Sequence, residues 1–190
     1  MGSLRTSVVL TAVVAALAPA PLLGQRPDTS AFHRGQWGVN FNIGSGFVGA
    51  GLIHFRNPTR AFVLDLGGSV ATSIGNGQFG ATNSSAATLS LGGRRYHPFG
   101  DRLFGFRTLG IEGSFSHVFL GGPSPNTQNR WSGGVFGELG AGWLVTPHLA
   151  VGGAWRLSVD YTRSNVIGAG HNSGWSFALG QVRLTGQIYF

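Results

Sequence analysis

Val182-Arg183-Leu184-Thr185-Gly186-Gln187-Ile188-Tyr189-Phe190 ends the sequence. Val182, Leu184, Ile188 and Phe190 stand at alternate positions. Gln181, Arg183, Thr185 and Gln187 hold the positions opposite them. Side chains in a β-strand point alternately to its two faces, so this strand has one apolar face and one polar face. The two faces need two different surroundings.

The same period runs upstream from here to residue 35. A first strand over about 35–44 sets Trp37, Val39, Phe41 and Ile43 against Gly38, Asn40 and Asn42. A second runs to about 56, with Phe47, Ile53 and Phe55 on one face, but Val48 and Leu52 on the other leave its direction open. The third, about 60–72, sets Phe62, Leu64, Leu66 and Val70 against Asp65 and Ser69. The fourth, about 86–96, sets Ala87, Leu89 and Leu91 against Thr88, Ser90 and Arg94. The fifth, about 102–119, sets Leu109, Ile111 and Phe115 against Thr108, Glu112, Ser114 and Ser116. Phe104 and Phe106 around Arg107 break that parity, so a bulge is expected there. The sixth, about 132–146, opposes Val135, Leu139, Trp143 and Val145 to Glu138. The seventh, about 149–162, alternates Trp155, Leu157, Val159 and Tyr161 with Arg156, Ser158 and Asp160.

Counting the terminal strand, the expected number is eight. Short connections with Pro58, Pro98 and Pro147 follow the second, fourth and sixth strands. Long polar stretches, 73–85, 120–131 and 163–174, follow the third, fifth and seventh. The first connection, Gly44-Ser45-Gly46, is tight and breaks this rule. Short turns on one side and longer loops on the other are the arrangement of a transmembrane barrel with both termini on the periplasmic side. The fold expected is all-β: an eight-stranded antiparallel up-and-down transmembrane β-barrel.

Composition agrees. Charged residues make up 10% of the 190 residues, against ~25% in soluble domains. Glycine is abundant at 33 residues and aromatics reach 12%. The only long apolar run is N-terminal, which excludes a helical membrane protein. That run reads as a signal peptide: Arg5 supplies the positive start and Ser7–Ala18 a short apolar segment. Cleavage is expected after Gly24, leaving Gln25 first. The expected division is a signal peptide over 1–24, a periplasmic segment over 25–34 and the barrel over 35–190. Its expected destination is the bacterial outer membrane.

The acids give an internal test. Asp28 precedes the first strand and Asp101 lies in a turn. The other four, Asp65, Glu112, Glu138 and Asp160, all fall on the polar face of their strands. A charge facing lipid at mid-membrane costs roughly 2–4 kcal/mol for Arg or Lys and less for an acid, so acids belong inside. A soluble barrel would place its apolar face inward and charges outward. Here the polar face is mostly small, as a narrow eight-stranded interior requires. Trp143, Trp155, Tyr161 and Phe190 are expected in interfacial girdles. Asp65, Glu112, Glu138, Arg156, Asp160 and Arg183 are the expected interior ionic residues. Glu138 is expected to pair with Arg156, and Asp160 with Arg183, across neighbouring strands. Such pairs would seal the lumen; a gated polar path for small solutes is the alternative.

The chain resembles the OmpA/OmpX-type small outer-membrane barrels over about residues 35–190. The resemblance rests on the strand pattern, on Gly137-Glu138-Leu139-Gly140-Ala141-Gly142-Trp143 before the turn at Pro147, and most of all on the aromatic ending. It implies that Leu184, Ile188, Tyr189 and Phe190 form a signal read by the barrel assembly machinery. It implies contact with outer-membrane lipids and lipopolysaccharide, and a monomer. No peptidoglycan-binding domain is expected after Phe190.

Several chemistries are set aside. The chain has no cysteine, so no disulfide, thiolate site or lipoprotein anchor is expected. The net charge of +7 is carried by 13 scattered arginines and no lysine, without a basic run, so nucleic acid is not an expected partner. The six histidines lack metal-ligand spacing, and no cofactor is expected. His171-Asn172-Ser173 resembles the His-x-Ser pair of the outer-membrane lipid A deacylases, but no acid follows it; Gln181 is the nearest acid-like side chain. Ser114 and Ser116 lie opposite His117 by parity. The function expected is a structural or surface-interaction barrel acting through its external loops. A narrow pore for small or hydrophobic solutes is the second reading, and a lipid A-modifying enzyme the third.

Overall fold

The computed structural model describes residues 32–44, 47–73, 82–121, 126–166 and 170–190. The signal peptide and its cleavage site lie outside the described residues. Eight antiparallel strands follow one another around a closed barrel: β1 (Trp37–Gly44), β2 (Phe47–Asn57), β3 (Arg60–Ser73), β4 (Thr82–Pro98), β5 (Leu103–Leu120), β6 (Asn126–Thr146), β7 (Leu149–Val166) and β8 (Gly170–Tyr189). Closure leaves no open sheet edge along the seam where β1 meets β8, from Gly38–Tyr189 to Ile43–Leu184.

The register fixes the tilt. Hydrogen-bonded partners lead from Gly38 through Ile53, Val63, Gly92, Gly110, Phe136 and Ser158 to Ala178 on β8. The direct β8 partner of Gly38 is Tyr189, eleven residues further along the chain than Ala178. That stagger tilts the strands by roughly 45° to the barrel axis.

The faces fall as the alternation requires. Leu64, Leu66, Leu89, Leu109, Ile111, Val135 and Leu184 are exposed on the outside, with Leu109 at 74%. Asp65, Ser90, Arg94, Glu138, Arg156 and Arg183 are buried inside. This inside-out distribution suits a barrel in lipid. Trp37, Trp143 and Phe190 stand outside at the turn end, and Trp131, Tyr161 and Trp175 outside towards the loops. The Phe115 ring lies tilted against Trp131 at 4.4 Å and Tyr161 meets Trp175 edge-on at 5.3 Å.

Two expectations are corrected, and one question left open is settled. There is no bulge in β5: its pairing is unbroken from Phe104 to Leu120 with β4 and from Leu103 to Leu120 with β6. Phe104 and Phe106 keep the parity of Thr108 and are buried inside, while Arg107 faces out. The irregularities lie at Phe55/Asn57, Leu144/Thr146 and Arg156/Ser158. In the last, β8 carries an extra residue opposite Leu157, and Gly180 takes φ +84°, a conformation that costs glycine little. The second strand's open direction is settled: Ile53 and Phe55 point inward, and Val48 and Leu52 outward. The strands also run further into the expected loops, to Thr82, Asn126, Val166 and Gly170. There both faces are polar, so the ladder continues without the apolar alternation that betrays a strand in sequence.

Candidate functional site

The interior has three levels along its axis. At the turn end an aromatic plug fills the lumen. Phe32, from the segment expected to precede the barrel, lies at its centre. Its ring is 4.7 Å from that of Phe55, 4.8 Å from Tyr96, 5.4 Å from Phe104 and 5.1 Å from Tyr189. Phe106 packs behind Tyr96 at 6.0 Å. The small residues Ala61, Ala150 and Ala154 give the rings room. Edge-to-face and offset pairs of this kind add to the area they bury.

Above the plug lies a layer of charge. Arg94 Nη2 donates to Glu138 Oε1 at 2.7 Å, and its Nε donates to Thr108 Oγ1 at 2.9 Å. Arg156 Nη2 donates to Glu112 Oε2 and to Ser90 Oγ, the latter at 3.0 Å. Both guanidinium groups also lie over rings, Arg94 over Phe106 at 4.1 Å and Arg156 over Phe136 at 3.6 Å. Asp65 accepts from Asn40 Nδ2 at 2.6 Å and from Asn42 Nδ2 at 3.3 Å. Each of these charges is paired or hydrogen-bonded, which a buried charge requires.

The expected partners are therefore exchanged. Glu138 and Arg156 are neighbours in the β6–β7 register, as the turn at Pro147 implies. Yet Glu138 takes Arg94 from β4, and Arg156 takes Glu112 from β5. Register sets where the Cα atoms lie, but an arginine reaches several ångströms across a narrow lumen, so the pairs skip strands. Asp160 and Arg183 do not pair either, and neither forms an ion pair among the described residues. Ser158 Oγ donates to Asp160 at 2.8 Å, and Arg183 Nη2 donates to Gln181 at 3.1 Å. In the β7–β8 register Asp160 lies opposite Ser176 and Arg183 opposite Ala154, six residues along β7 from Asp160, so the two charges stand at different heights in the barrel.

The third level is a cavity of about 290 Å³ towards the loops, lined by Thr88, Glu112, Ser114, Asp160, Gln181 and Arg183 among others. The alternation puts all six on the polar faces of their strands but carries no signal for the space between them. The His-x-Ser pair is elsewhere: His171 and Ser173 share the outward parity of Trp175 on β8. Ser114 shares a hydrogen bond of 2.7 Å with Ser132, while His117 bonds Asn129 at 2.7 Å, so the alternation separates them as expected.

The sequence matches no protein family profile and no curated protein. Solved structures do share its shape. The Neisserial surface protein A is 15% identical, with a TM-score of 0.52 over 82% of this chain and 95% of that one. A major outer membrane protein of Thermus thermophilus is 14% identical, with a TM-score of 0.51 over 82% of this chain and 98% of that one. At such identities the likeness speaks for architecture. The chain has the fold of the small eight-stranded outer-membrane β-barrels, the OmpA/OmpX-type architecture.

Proposed function

We propose that this protein is a sealed outer-membrane barrel that holds a surface-interaction platform outside the cell. The carrying observation is the stack of plug and ion pairs that fills the lumen on the turn side. A water path would have to part the Phe32 cluster and then two buried ion pairs. Eight strands enclose a space that side chains fill, which favours sealing over conduction. The platform is the outer part of β4 to β8, where polar strand extensions pass beyond the aromatic ring at Trp131, Tyr161 and Trp175. Planar-bilayer recording tests the reading: the purified protein gives no steady conductance above the lipid baseline. Discrete, reproducible openings would favour the narrow pore instead.

Orientation follows from the connections. A protease site inserted at Ser124 is cut on intact cells, and one inserted at Pro147 is protected. The reverse accessibility would invert the barrel in the membrane.

The end of β8 also has a role in this reading. Leu184, Ile188 and Phe190 face outward and pack against nothing inside, so they are available to the assembly machinery; Tyr189 instead points inward. Phe190→Ala lowers the amount of folded protein in cells while leaving refolding into vesicles intact. Equal losses in both settings would reduce Phe190 to a structural residue.

A further inference from the structure

The β1–β2 hairpin is shorter than its neighbours. β1 pairs with β8 no higher than Ile43–Leu184, so among the described residues nothing pairs with that side of Gly170–Arg183. On the other flank β2 leaves β3 at Val48–Gly68, while β3 continues to Ser73. The wall is therefore low between β8 and β3.

Its depth places the gap in lipid. Gly44 lies against the backbone of Val182 and Arg183, and Trp175 of the outer aromatic ring is seven residues further up β8. At ~3.3 Å per residue and a tilt of roughly 45°, the hairpin stops on the order of 15 Å below that ring. Aromatic rings mark the membrane interfaces, so the gap opens into the outer leaflet and not above it. Its flanks are apolar and bare: Phe177 and Leu179 on β8 are 71% and 79% exposed, and Val70 on β3 is 83% exposed.

Two spaces meet at this gap. An apolar groove of about 590 Å³ runs past Ile43, Val48 and Val70. The polar cavity of about 290 Å³ lies inside. They share Gly44, Phe47 and Ser69. Phe47 stands at the junction with the Arg183 guanidinium over its ring at 4.5 Å. Arg183 and Asp160 both line the cavity, and neither has an ionic partner among the described residues. Unpaired strand edges at membrane depth are tolerated only where they border a polar space, which the cavity supplies.

We infer that this opening admits a single-chain amphiphile with a zwitterionic head from the outer leaflet. The chain lies in the apolar groove. The anionic part of the head meets Arg183 and its ammonium meets Asp160. A purely anionic head leaves Asp160 facing a like charge, and an uncharged head leaves both residues unpaired. The inference rests on the membrane placement proposed above.

Refolding into lipid vesicles, read as faster gel migration before boiling than after, tests that placement first. The folded protein in detergent is then offered 1-palmitoyl lysophosphatidylethanolamine and weighed by native mass spectrometry. A one-to-one adduct that survives detergent removal is expected. Asp160→Asn weakens it about tenfold, the loss of one charge-assisted contact. Ser69→Trp, which fills the junction between groove and cavity, abolishes it while the heat shift persists. The inference is overturned by a heat-shifted protein without the adduct, by equal binding of the anionic lysophosphatidylglycerol, or by an adduct unchanged in folded Ser69→Trp. A protein that never gains the heat shift in vesicles overturns the membrane placement, and the site with it.

Discussion

Tyr189→Ala lowers the stability of the barrel in vesicles by about 3–5 kcal/mol, the range for truncating a buried aromatic. Tyr189 is 1% exposed although it is the penultimate residue. Its ring meets Phe32 and Phe55 in the plug, and its hydroxyl donates to Gln187 Oε1. Its backbone N–H donates to His148 O at 2.8 Å, and its strand closes against β1 through only six residue pairs. The substitution therefore opens a cavity in the plug beside the shortest seam of the wall. Phe190→Ala is the internal control. Phe190 shares the backbone bonds with Trp37, at 3.0 and 3.2 Å, which alanine keeps, and its ring is exposed. Urea unfolding in vesicles should show a large loss for the first and little change for the second. Equal effects would mean that the plug contributes nothing particular to the fold.

Charge removal in the lumen produces the second large effect. Arg156→Met and Glu112→Gln each lower stability by roughly 3–5 kcal/mol, because each leaves a partner charge buried alone. The double variant loses much less than the sum. Arg94→Met and Glu138→Gln behave in the same way. Combining Arg156→Met with Glu138→Gln is the discriminating experiment, since these residues are register neighbours that belong to different pairs. Their coupling falls below that of Arg156 with Glu112, which lies in the range of about 0.5–3 kcal/mol for groups in contact. A Glu138–Arg156 coupling as strong as the Glu112–Arg156 one would mean that the pairs follow the register after all.

The contrast shows what a sequence of this kind reveals. Alternation reports the face of a residue, so the inward placement of Asp65, Glu112, Glu138 and Asp160 was legible, and so was the strand count. Parity also held the answer for Phe104 and Phe106. They share the even positions of Thr108 and Glu112, and hydrophobicity alone made them look like lipid-facing residues out of step. A plug of rings inside a polar lumen defeats any rule that sends every aromatic outward. Phe32 gave no signal, because it precedes the first strand and acts by reaching back into the barrel mouth. The partners within the charge layer were illegible for a different reason. They depend on the stagger around eight strands and on side-chain reach, neither of which shows in one strand's sequence. The low wall at β1–β2 was visible only as a tight first connection. Its meaning emerged from the heights of β3 and β8 on either side.

The central claim is that the apolar face of this barrel stands in lipid and the charged face in a polar interior. The chain has no cysteine, so single cysteines can be placed and spin-labelled without competition. Labels walked along β5 from Arg107 to Phe115 in vesicles test both faces in one measurement. Oxygen, which concentrates in the bilayer, should reach positions 109, 111, 113 and 115 and miss 108, 110, 112 and 114. High oxygen accessibility at the even positions, or accessibility to a water-soluble relaxer at 109 and 111, would contradict the account.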